Sequence, residues 1–137
     1  MKRLLLSLLL ALPVAGCERQ DEAGGGSPSA GGRPVSVEQA RQLLWKLPEV
    51  RAWARSVRSK SWGKVVPVSM VERTPSEAAG GQRPGWVFYV GESHKGHTVL
   101  WNRFRVDAAS GEISVWDPFY AAFKPLAEWR KKLALEK

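Results

Sequence analysis

The chain predicts an α+β fold: an N-terminal helix, kinked or broken near Pro48, packs on a four-stranded antiparallel meander sheet, and a short C-terminal helix follows. Three observations carry this expectation. Apolar residues recur at helical spacing between Ala40 and Val57. The period then changes to strand-like from Val65 to Trp116. The strand-like segments follow one another over short connections, which pairs neighbours antiparallel. A helix with one apolar face and a sheet with one face to cover make a two-layer arrangement.

Ser36-Val37-Glu38-Gln39 fits a capping box, with the serine capping the third helical amide and Gln39 reaching back. Ala40, Leu43, Leu44 and Leu47 then fall at i, i+3, i+4 and i+7. Pro48 interrupts the pattern, which resumes with Val50, Trp53 and Val57. Val65 to Val71 reads as a strand, and Pro67 within it marks an edge. The stretch TPSEAAGGQRPG is loop-like in composition. Trp86 to Val90 and Thr98 to Asp107 are strands, Ala108 to Gly111 is a tight turn, and Glu112 to Trp116 is the last strand, ended by Pro118. Leu126, Trp129 and Leu133 recur at helical spacing within the final segment, Pro125 to Glu136.

The first 34 residues stand outside this domain. Lys2 and Arg3 precede an apolar run, Leu4 to Leu12, that is too short for a permanent span. Val14-Ala15-Gly16-Cys17 follows and resembles a bacterial lipobox. That resemblance implies a signal peptide over residues 1–16, removal before Cys17, and acylation of the cysteine, with more than one acyl chain giving a stable membrane anchor. Glu18, rather than Asp, after the cysteine resembles the pattern of outer-membrane rather than inner-membrane delivery in a Gram-negative envelope. Cys17 is the one cysteine, so disulfides and thiolate metal sites are excluded. Residues 17–34 are rich in Gly, Ser and Pro and read as a flexible tether, with a root-mean-square span of roughly 24 Å. The folded domain is expected over residues 35–137.

The 21 Lys and Arg exceed the 13 Asp and Glu, a net charge of +8. Loss of Lys2 and Arg3 with the leader takes two charges away and leaves +6. Such a balance favours anionic partners, and the envelope address argues against nucleic acid.

No G-x-S-x-G elbow or phosphate-binding loop is present, no carboxylate pair is placed for glycoside chemistry, and no cofactor motif appears. Ser93, His94 and Asp107 have no spacing that supports a triad. The expectation is a protein that is not an enzyme. Glu92, His94 and His97, within GESHKGH, are candidate metal ligands by residue type. They straddle the end of one strand and the start of the next, with Gly96 at the reversal, so a polar hairpin turn is the favoured reading.

The run RFRVDAASGEISVWD, residues 103–117, resembles the closing hairpin of PepSY-type domains. Val106, Asp107, Ala108, Gly111 and Glu112 match that pattern, and Ser110 stands where threonine is usual. The preceding SVEQARQLLWKLPEV is similar to the family's first helix. The resemblance implies a small, non-catalytic, secreted or membrane-attached domain, of a kind that inhibits peptidases or regulates envelope enzymes. The chain departs from the family in lacking a peptidase domain, in the GESHKGH hairpin and in the C-terminal helix.

Strict alternation along residues 98–107 places Leu100, Phe104 and Val106 on one face and Trp101, Arg103 and Arg105 on the other. With Tyr89 and Trp116, the latter three form a candidate binding face, because Trp, Tyr and Arg dominate interface hot spots. The competing expectation is that the C-terminal helix covers this face through Trp129. Arg51, Arg55 and Arg58 form a basic stripe at helical spacing, a solvated face by default and otherwise a surface for anionic head groups. Together these features lead to a lipid-anchored binding or inhibitory module for an envelope protein. The runner-up readings are an envelope-structural lipoprotein that binds lipid or cell-wall polymer, and a metal-binding periplasmic protein.

Overall fold

The computed structural model describes residues 32–135, so the leader, Cys17 and most of the tether lie outside the described residues. Helix α1, Val37–Lys46, begins with the expected capping box: Ser36 Oγ accepts from the Gln39 amide, and the Ser36 amide donates to Gln39 Oε1. The helix does not bend through Pro48 but stops. Leu47 takes an extended conformation, and Pro48 opens α2, Pro48–Lys60, where its missing N–H costs nothing.

Five strands follow: β1 Val66–Arg73, β2 Gly85–His94, β3 His97–Asp107, β4 Ile113–Asp117 and β5 Ala122–Pro125. A 3-10 turn, Pro75–Glu77, interrupts the long loop after β1. The sheet is an antiparallel meander in the order β1-β2-β3-β4-β5, and α3, Leu126–Leu135, ends the described chain.

The sheet therefore has one strand more than the expected four. After Pro118 the chain reverses through a turn in which Asp117 Oδ1 accepts from the Phe119 amide and Ala121 takes a positive φ of 49°. Four residues then pair with β4, from Asp117↔Ala122 to Ser114↔Pro125. Four residues ending in proline carry too little alternation to announce a strand, and Pro125 is tolerated because β5 is an edge. Pro67, read as an edge marker, does lie on the other edge strand, β1.

One face of the sheet carries the core. Phe88, Val90, Phe104, Val106 and Val115 are buried against Ala40 and Leu44 of α1 and Val50 of α2. Trp129 of α3 meets Phe104 edge-on at 5.7 Å, and Arg130 bonds Glu49 at the start of α2. All three helices therefore sit on the same side. Two tryptophans tie the layers by their indole N–H groups: Trp45 donates to Ser69 Oγ at 2.9 Å and Trp86 to the Val35 carbonyl at 2.8 Å.

The β3–β4 turn is built as its sequence demands. Asp107 Oδ1 accepts from the Ala109 and Ser110 amides and the Ser110 hydroxyl, and Gly111 takes φ +73°. Burial pushes the Asp107 carboxyl up, but those three donors and the charge of Arg83 outweigh it and hold the group below its ordinary value. A depressed folded value means the stabilisation is fully present above the unfolded pKa and is lost as pH falls through the folded one. Thermal unfolding should therefore show a Tm that declines below about pH 4. Asp107→Asn should flatten part of that decline, at a cost of about 2 kcal/mol at neutral pH.

Candidate functional site: the uncovered face of the sheet

Cross-strand partners share a face, so the register assigns the side opposite the helices. Met70, Tyr89 and Arg103 lie across β1, β2 and β3; Val87, Arg105, Ser114 and Pro125 lie across β2 to β5; and Trp116 stands beside Phe123. No helix among the described residues covers this face. Trp129 does not lie over it, since its contacts are Phe104 and Trp101 on the helical side.

Its side chains are held. Arg103 Nε bonds both carboxylate oxygens of Glu72, at 3.0 and 2.7 Å, which orients the guanidinium although so exposed a pair adds little stability. The stem of Arg105 lies over Gly85, and its guanidinium sits 5.6 Å from the Phe123 ring. The Tyr89 ring lies over Gly91. Trp116 and Phe123 meet edge-on at 5.2 Å. Val87, flanked across the strands by Arg73 and Arg105, is buried, while Met70 is 41% exposed.

The structure thus brings together Tyr89, Arg103, Arg105 and Trp116 but separates Trp101 from them. The cause is a β-bulge. Val90 faces Asn102, yet Gly91 faces Leu100, so β3 holds one extra residue and Trp101 is left without a partner. Past the bulge, the faces exchange. Trp101 turns to the helices and stacks on Trp53, with ring centroids 4.5 Å apart and planes 5° apart, while Leu100 moves to the uncovered face. Met70, Leu100 and Phe123 are the members of this face that alternation alone did not find. The interior glycine, Gly91, was the available signal, since glycine within a strand often marks a bulge.

The other candidates lie elsewhere. Arg51, Arg55 and Arg58 are exposed on α2, and among the described residues none of them forms an ion pair. At the β2–β3 turn, His94 Nε2 lies 3.1 Å from Glu92 Oε2, and the His94 and His97 rings stack at 5.0 Å. Among the described residues, no group of three or more His, Cys, Asp or Glu side chains is placed to hold a metal ion. Ser93 and His94 sit at the hairpin tip and Asp107 at the far end of β3, about 30 Å of strand away. Cys17 lies outside the described residues.

Compared with known proteins, the chain has no significant match to a family model, a curated protein or a solved structure.

Proposed function

We propose that the chain is a lipid-anchored envelope protein, attached through Cys17, whose domain is a non-catalytic binding or inhibitory module of PepSY-like kind. The observation that carries this reading is the uncovered sheet face, where Tyr89, Arg103, Arg105 and Trp116 stand on a rigid antiparallel frame. Aromatic and arginine side chains already fixed by their neighbours lose little freedom on association, which favours recognition of a folded partner. The Asp107–Gly111 turn supports the PepSY resemblance, since the matching residues are those that close the hairpin. The partner is an envelope protein, which the module holds or blocks by contact.

Cross-linking in intact cells tests this, comparing the parent with Tyr89→Ala/Arg103→Ala/Trp116→Ala. Specific capture of one envelope protein is expected, lost in a variant whose circular dichroism matches the parent. An unchanged captured set in a folded variant means the face is not the site.

A further inference from the structure

Helix α2 ends in a Schellman motif: the Gly63 amide bonds the Arg58 carbonyl at 2.9 Å, and the Trp62 amide bonds that of Ser59 at 3.3 Å. Trp62 occupies the left-handed position of this motif, φ +55°, where glycine is the usual residue. It is also 91% exposed, so no packing offsets the strain. The turn is nevertheless fixed, since Ser61 Oγ accepts from the Val65 amide and the Lys64 amide bonds the Ser61 carbonyl. The sequence has set its most exposed aromatic on a rigid mount where an aromatic is locally unfavourable.

Its surroundings are cationic. Arg58, Lys60 and Lys64 flank it, all exposed, and none forms an ion pair among the described residues. Lys95 caps the hairpin two residues beyond Ser93, the partner of Val66, so it lies at the same end of the sheet. Of the acids there, Glu92 is engaged by His94 and Asp117 by Lys132. The β4–β5 turn points toward this end as well and exposes Phe119 and Tyr120, 82% and 62%. At the opposite end, where Val35 bonds Ala108, the four acids Glu38, Glu77, Asp107 and Glu112 outnumber Arg33, Arg73 and Arg83. An exposed tryptophan flanked in the chain by unpaired cations matches a bilayer interface, where indoles settle among head groups and each cation is drawn to anionic lipid.

We propose that the Trp62 end of the domain docks on an anionic lipid surface. Trp62 enters the head-group layer, and Arg58, Lys60, Lys64 and Lys95 lie against its charge. The strands then stand away from the bilayer, and the uncovered sheet face stays open to the side. The inference rests on the described surface alone and not on acylation of Cys17.

The test is flotation with vesicles of phosphatidylcholine and phosphatidylglycerol, against phosphatidylcholine alone. It uses the chain from Glu18 onward, which lacks the acylation candidate and keeps every core residue. Binding is expected to the anionic vesicles only. Trp62→Gly should lower it about tenfold while leaving Tm unchanged or higher, because glycine relieves the left-handed strain. Lys60→Gln/Lys64→Gln should lower it about fivefold per charge. Tyr89→Ala/Arg103→Ala should leave it unchanged, which separates this surface from the protein-binding face. Equal binding to neutral vesicles overturns the proposal. So does undiminished binding of Trp62→Gly alongside loss in the lysine variant, since that pattern is polyanion attraction without insertion, as an acidic protein or polymer would also give.

Discussion

Trp101→Ala is expected to destabilise the domain by about 3 kcal/mol, a change typical of large-to-small substitutions in a core. The indole stacks on Trp53 at 4.5 Å, tilts against Phe104 at 5.8 Å and meets Trp129 edge-on at 6.1 Å. Truncation removes one wall of the space around Phe104, whose side chain is fully buried, and neighbours on three different elements cannot all close on the hole. Urea unfolding should show a lower midpoint with an unchanged slope, and Tm should fall by roughly 12–24 °C. A cycle with Trp53→Ala isolates the stack, with a coupling of about 1 kcal/mol expected. Tyr89→Ala, on the uncovered face, should cost much less. If Trp101→Ala is instead as stable as the parent, the residue belongs to the surface and the bulge is absent.

That contrast shows where the fold was legible and where it was not. Signals confined to a few consecutive residues read true, because the groups that make them are neighbours in the chain. The Ser36–Gln39 box and the Asp107–Gly111 turn formed as expected, and Pro48, read as a kink or a break, proved a break. Face assignment along β3 failed because it depends on a partner strand. A single extra residue exchanges the faces on one side of it, and nothing within Leu100-Trp101-Asn102 alone announces that. The fifth strand escaped for a related reason: Ala122–Pro125 is extended because β4 offers it a ladder, not because its own pattern demands it. Trp62 escaped because its local sequence reads as a helix end, and only the structure shows its side chain turned outward. The candidate face was thus half legible. Tyr89, Arg103, Arg105 and Trp116 lie where alternation puts them, and Trp101 does not.

Gly91→Ala should be more damaging than any glycine substitution in the turns. Gly91 faces Leu100, at the point where β3 accommodates its extra residue. A Cβ there would overlap the Val99 carbonyl and come within 2.8 Å of Tyr89 Cε1. The carbonyl belongs to the central ladder of the sheet, which cannot retreat without breaking pairs on both sides of the bulge. Overpacking of this kind costs about 3 kcal/mol or more, and unfolding should shift by at least as much as in Trp101→Ala. Gly96→Ala supplies the comparison. Open space surrounds that position, and only its φ of +91° resists a side chain, so the loss should be about 1 kcal/mol. Removing the Tyr89 ring tests which neighbour matters. Tyr89→Ala/Gly91→Ala should recover little, because the ring can be deleted but the Val99 carbonyl cannot. Full recovery in the double variant would show that the glycine serves the tyrosine rather than the bulge. Persistent loss ties Gly91 to the irregularity that turns Trp101 inward and leaves Arg103 and Arg105 facing out.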